Sequence, residues 1–191
     1  MLRSIVILTP QVSIQYMTNI IIIYSTTDGH TREICSYLEQ VVEALGSQVA
    51  LVDIDDTDEV DLKPFDMIVI GASIRYGKHD KKIYSFIERN LTILEDKANA
   101  FFSVNVVARK PAKRQPDTNP YLKKFLKEIT WQPKTLAVFA GKIDYPRYSF
   151  WDRNIIRLIM WMTKGPTDPT VTIDYTDWKQ VEDFGRMISE M

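Results

Sequence analysis

The sequence is poor in cysteine, histidine and glycine, and each shortage closes off a kind of chemistry. Among its 191 residues there is one cysteine, Cys35, so neither an internal disulfide nor a thiolate-rich metal site can form. A lone thiol of this kind suits a reducing, cytoplasmic compartment. The two histidines, His30 and His79, are far apart and belong to no paired-carboxylate pattern, which argues against a metal site. None of the seven glycines falls into G-x-G-x-x-G or G-x-x-x-x-G-K-[ST], which removes the dinucleotide fingerprint and the nucleoside-triphosphate loop. Charge of one sign is also missing: 24 basic residues face 25 acidic ones, and a general nucleic-acid footprint needs a basic excess. Long apolar runs are absent as well. Leu2–Leu8 is broken by Thr9-Pro10-Gln11, too short to span a bilayer and without the small-residue cleavage pattern of a secretory signal. Residues 1–16 read as an appendage of unknown role, such as an upstream start codon would add before Met17. A short extra element packed on the domain is the alternative reading.

What is present is a regular alternation. Ile20–Tyr24, all β-branched or aromatic, reads as a buried strand. Thr31–Leu45 carries Ile34, Leu38, Val41, Val42 and Leu45 at helical spacing, with Gly46 as its stop. Strands are expected at Gln48–Ile54, Met67–Gly71, Ala98–Val104 and Thr135–Ala140. Helices are expected at Lys81–Leu94, Asn119–Ile129 and Asp177–Ser189, the last capped by Thr176. Strand–helix alternation of this kind predicts an α/β fold with a parallel sheet covered on both faces. Five strands favour the flavodoxin-like order 2-1-3-4-5 over a six-stranded dinucleotide-binding sheet. The chain length allows one such domain, 17–191. Two segments exceed ordinary loop length, 106–118 and 141–170, and long excursions in a small domain tend to be functional or disordered.

The densest chemistry lies where the first strand meets the first helix: Ser25-Thr26-Thr27-Asp28-Gly29-His30-Thr31. A turn of this composition aims backbone N–H groups, hydroxyls and the positive end of a helix at one point, which can hold a phosphate monoester without lysine. Plain helix capping is the competing account, but it explains one such residue better than a cluster around a glycine. Ala72-Ser73-Ile74-Arg75-Tyr76-Gly77 leaves the third strand, with Tyr76 as a flat surface for an aromatic ring, and Ser103-Val104-Asn105 ends the fourth. In open α/β sheets ligands sit beyond these strand ends. Any one loop is explicable as an ordinary turn; together they favour a flavin.

These motifs resemble the flavodoxin phosphate signature. Several stretches are more specific still: Gly71–Gly77, Phe102–Pro111, Tyr145-Pro146-Arg147-Tyr148 and Tyr175-Thr176-Asp177-Trp178 are similar, in order and spacing, to the menaquinone-dependent protoporphyrinogen oxidase family of bacterial haem synthesis. Thr27 departs from the pattern, because the family often has a basic residue there. The resemblance covers the chain from about Met17 onward. It implies FMN as cofactor, protoporphyrinogen IX as substrate, and removal of six electrons in three two-electron turnovers. Electrons would pass to menaquinone or a related membrane quinone, with the protein on the inner face of the cell membrane. No acid–base triad is evident, and flavin chemistry demands none.

Within that frame Arg109, Lys110, Lys113 and Arg114 become candidates for pairing with substrate propionates or anionic lipid. A solvated basic loop is the competing reading. Tyr145 and Arg147 are candidates for the same substrate or membrane role. They lead into Asp152–Thr163, apolar but punctuated by Arg153, Arg157 and Lys164, which suits an interfacial helix. A core or homo-oligomer interface helix fits that stretch equally well. His79 is expected to be an exposed residue starting a helix, with approach to the flavin as the other option; Cys35 is expected to pack inside a helix. Other classes remain open: a flavodoxin-type electron carrier, a nicotinamide-fed FMN quinone reductase, and a flavin-free signalling domain of the same topology. The carrier would favour an acidic flavin edge, and here the neighbouring insert is basic. The reductase need not carry a second dinucleotide signature. The signalling domain would want a partner acid for Asp53, and none follows the first strand.

Overall fold

Each strand of the central sheet is an almost unbroken apolar run, the pattern expected when a sheet is covered on both faces. The computed structural model describes residues 17–191; the appendage expected at 1–16 lies outside the described residues. Strands β1 (Asn19–Ser25), β2 (Gln48–Asp53), β3 (Met67–Ser73), β4 (Ala98–Asn105) and β5 (Thr135–Ala140) form one sheet of order β2-β1-β3-β4-β5. All four pairings are parallel. This is the flavodoxin-like topology expected from the alternation of elements.

Alternating residues along each strand serve opposite faces. Ile21, Ile23, Ile68, Ile70, Phe101 and Val138 meet helices α2 (Lys81–Arg89) and α4 (Pro120–Glu128) through Ile83, Phe86, Leu122 and Phe125. On the other face, Ile20, Ile22, Val69, Phe102 and Phe139 meet α1 (His30–Ala44) and α6 (Trp178–Ser189) through Ile34, Leu38, Val181 and Phe184. Cys35 is fully buried in this second layer, where burial pushes its thiol well up from its ordinary pKa. Gly71 is needed in β3, because a Cβ there would sit 2.1 Å from the ring of Phe102.

The structure corrects several expectations. The helix expected over 81–94 is two helices, α2 and α3 (Leu91–Asp96), broken at Asn90. The Asn90 side chain donates to the Phe86 carbonyl at 2.9 Å beside the backbone N–H of the same residue, a local bond of the kind that favours helix ends. The cap of α6 is Asp177, which accepts from the Gln180 N–H at 3.2 Å. Thr176 instead donates its hydroxyl proton to the Ala140 carbonyl at 2.9 Å, tying the entry of α6 to the end of β5. The segment 106–118 is compacted by two 3-10 turns, Val106–Arg109 and Pro111–Lys113. The segment 141–170 contains a short strand β6 (Lys142–Asp144) and helix α5 (Phe150–Met162); β6 pairs antiparallel with β7 (Thr172–Asp174). Strands of three residues are too short to announce themselves by periodicity.

Candidate functional site

The parallel register sets four strand ends side by side. Ser25 pairs with Ala72, Ser73 with Val104, and Asn105 with Ala140. The loops that leave them enclose a cleft of about 530 Å³, whose remaining wall is α5. Its floor and near end come from Thr26, Thr27, Asp28, His30 and Thr31; Ser73–Gly77 and Val104–Val107 form two sides.

Gly29 adopts φ 88°, a left-handed conformation that glycine takes without penalty, and starts α1 with no side-chain cap on the helix. The turn is braced from within, since the Gly29 N–H donates to the Thr26 hydroxyl at 3.0 Å. The leading N–H groups of α1 therefore stand free of side-chain acceptors at the end of the cleft, where a helix favours an anion. Thr31 lines the same end. Its side-chain oxygen is buried without a hydrogen-bond partner, one of two such side-chain atoms among the described residues. A buried hydroxyl left unpaired costs about 1–3 kcal/mol, and a phosphate at this turn would pair it. The donor set thus fits the phosphate of FMN.

On the next loop, Arg75 and Lys78 exchange backbone hydrogen bonds at 2.9 and 3.1 Å around a two-residue turn. Tyr76 (φ 50°) and Gly77 (φ 80°) are both left-handed in it, and Tyr76 is held there despite its Cβ. Its ring is exposed beside the cleft, with the Arg75 guanidinium 5.3 Å from its centroid. Arg75 also bridges Asp28 and Asp152, each at 2.8 Å, and so clasps the turn before α1 to the start of α5. Burial raises the Asp28 pKa, and Arg75 opposes that shift. Hydrogen bonds donated by Tyr76 and Ser149 hold the Asp152 carboxyl below the usual carboxylate range.

The residues expected at the site divide into three groups. Thr26, Thr27, Asp28, His30, Thr31, Ser73, Ile74, Arg75, Tyr76, Gly77, Val104, Asn105 and Arg109 line the cleft together. Ser25, Ala72 and Ser103 are buried just behind it, and Gly29 shapes the turn. Lys110, Lys113 and Arg114 lie off the cleft, as does exposed Arg147. Tyr145 is a core residue whose hydroxyl donates to the Pro166 carbonyl at 2.7 Å. Arg109 is held by the carbonyl of Val106 and by the carbonyl and hydroxyl of Thr163, at 3.0–3.3 Å. None of these three acceptors is a carboxylate, so its charge is not neutralised through them.

His79 is not the exposed residue expected. It is buried, edge-on to Phe101 and Phe125, with Nε2 3.0 Å from the Ser103 hydroxyl. Desolvation lowers its pKa to about 3. From Ser103 a chain of hydrogen bonds continues through Asn105 to Asn119, which caps α4.

Tyr148, part of a stretch that stood out in the sequence, lies on the far wall; sequence reasoning missed Lys142, Ile143, Ile156, Ile159 and Met160 there. Spacing along the chain carries no trace of them, because they reach the cleft only through the β6–β7 ribbon and the return of α5. Helix α5 shows one more surprise. The arginines that interrupt its sequence turn inward: Arg153 donates to the carbonyls of Tyr145 and Tyr148, and Arg157 to that of Thr167. Its outer face is left to Phe150, Trp151, Ile155, Leu158, Trp161 and Met162. Among the described residues no helix is long and apolar enough to cross a membrane.

The flavodoxin-domain family model matches residues 21–170. Solved flavodoxins superpose on the fold: one from Megasphaera elsdenii at TM-score 0.55 and 15% identity, covering 90% of this chain and 99% of its own, and one from the Archaea at 0.53 and 15%, covering 91% and 97%. Much nearer in sequence is the protoporphyrinogen IX dehydrogenase [quinone] of Escherichia coli K12, 45% identical over 90% of this chain and 94% of that protein. The Leishmania major protein of the same name is 41% identical over 86% of this chain and 71% of its own length. With the family model spanning most of its length and these relatives matched across most of theirs, the chain belongs to the flavodoxin-domain family of protoporphyrinogen IX dehydrogenases [quinone].

Proposed function

We propose that the protein oxidises protoporphyrinogen IX to protoporphyrin IX with FMN as cofactor, and passes the electrons to a membrane quinone such as menaquinone. The observation that carries the substrate is the 45% identity to the Escherichia coli enzyme across 90% of the chain. The cleft supports it physically. Bound FMN would supply two-electron chemistry by accepting hydride at its N5, so that the six-electron oxidation takes three turnovers. The protein's part is placement. The uncapped start of α1 and the Thr31 hydroxyl hold the phosphate, and Tyr76 offers its ring to the heterocycle. Ile143, Ile156, Ile159 and Met160 make an apolar wall that keeps water from the reacting carbon and suits a tetrapyrrole face. Arg109, on the same wall, meets a propionate.

The uncharged outer face of α5 docks the protein peripherally on the inner face of the membrane, where the quinone is dissolved. A carrier that only shuttled electrons would have no use for an apolar wall and a propionate-pairing arginine beside its flavin. The deciding experiment is oxidation of protoporphyrinogen by the purified yellow protein with a menaquinone analogue, run against NADH oxidation. Porphyrin fluorescence should rise with the quinone and not with NADH as reductant. Turnover of NADH without porphyrin formation would instead assign a quinone reductase. Cell fractionation with a high-salt wash tests the membrane placement.

A further inference from the structure

The phosphate loop has an electrostatic deficit. A phosphate monoester carries about −1.5 to −2 charges near neutrality, yet 25–31 contains no lysine or arginine. Its one basic residue, His30, has both ring nitrogens engaged: Nδ1 lies 2.9 Å from a Glu33 oxygen and Nε2 lies 2.7 Å from the Thr176 hydroxyl. Arg32 is exposed and outside the cleft. Arg75 is engaged by two carboxylates, Arg109 is fastened to α5 at the opposite wall, and Arg147, whose charge lowers the Asp28 pKa, is exposed and outside the cleft.

We propose that Lys142 supplies the missing cation, and with it a preference for phosphorylated flavin over riboflavin. This rests on the flavin reading above. Lys142 opens β6 immediately after β5 and lines the cleft, reaching it from the far wall to the first turn of α1. Its Nζ lies 3.8 Å from a Glu33 oxygen, a loose contact with both side chains part-exposed at 25% and 45%. The unpaired Thr31 hydroxyl sits on the same turn. A dianion there would outcompete a single carboxylate for the ammonium, whose flexible stem lets it turn from Glu33 to the phosphate. Thus a lysine from a distant part of the chain serves a turn that carries no lysine or arginine of its own.

The test is titration of the full-length protein with FMN and with riboflavin, followed by flavin fluorescence at low and raised salt. Lys142→Met should weaken FMN about tenfold, leave riboflavin within about twofold, and flatten the salt dependence of FMN binding. Lys142→Arg should restore most of the loss. Glu33→Gln, which frees the ammonium and removes a repelling charge, should tighten FMN about threefold. Equal loss of both flavins in Lys142→Met would make the residue a structural support and overturn the proposal, as would unchanged FMN affinity. If the unmodified protein bound neither flavin, the cofactor reading itself would fall and this role with it; binding of both without discrimination by Lys142 removes only the role.

Discussion

Thr31 is buried to 1% exposure at the start of a helix, with its hydroxyl unpaired. On the proposed phosphate role, a position so arranged trades stability for binding. Thr31→Val keeps the shape and removes the unsatisfied oxygen. The flavin-free variant is expected to gain about 1 kcal/mol in urea unfolding while FMN affinity drops about tenfold. A variant that is no more stable and binds FMN as before would deny the phosphate assignment of the loop. Tyr76 carries a comparable cost in its backbone, a bulky side chain held at φ 50° beside the cleft. Both residues belong to stretches that stood out in the sequence, because hydroxyls around a glycine and an aromatic after a strand are chemical signals. Lys142 did not stand out, because a single lysine among 24 basic residues carries no signal until the fold places it.

At the scale of elements, α5 is the part of the molecule whose sequence and surface disagree. Written out, Phe150–Met162 is an apolar stretch broken by Arg153 and Arg157; folded, both guanidiniums satisfy carbonyls beneath it and the outside is left uncharged, apolar but for Asn154. An exposed face of this kind marks an interaction surface, and the proposed partner is the lipid interface. The substitutions Trp151→Gln, Leu158→Gln and Trp161→Gln fall on side chains that are 75, 57 and 71% exposed. The triple variant should therefore unfold within about 0.5 kcal/mol of the original per site, yet lose at least about tenfold in co-sedimentation with anionic vesicles. Retained vesicle binding would refer the face to self-association, checked by sedimentation of the free protein. The helix boundary at Asn90 teaches a smaller lesson. Apolar spacing continues through it, yet Asn90 leaves the helical conformation there, with its side-chain amide joining its backbone N–H on the Phe86 carbonyl.

For the whole molecule, the buried chain His79–Ser103–Asn105–Asn119 crosses beneath the cleft from the β3–α2 loop to α4. With its pKa lowered from 6.5 to about 3, His79 stays neutral when folded over a range in which the unfolded chain takes up a proton. Its contribution is complete above pH 6.5 and drains away as pH falls toward 3, at up to about 1.4 kcal/mol per unit. Between pH 6.5 and 5, before most carboxylates titrate, the original protein should lose about 1–2 kcal/mol more than His79→Gln in urea unfolding. Parallel pH profiles for the two would mean that the histidine takes a proton without unfolding. The sequence by itself determined the α/β class, the sheet order and the glycine turn between the first strand and the first helix, because strand runs, helical spacing and turn chemistry are local and survive without coordinates. Only the tertiary structure decided that His79 is buried, that Tyr145 belongs to the core, that Arg153 and Arg157 turn inward, and that Lys142 faces the start of α1. Those outcomes depend on which segments meet after the chain crosses the sheet, and contacts between residues so distant leave no period or motif along it.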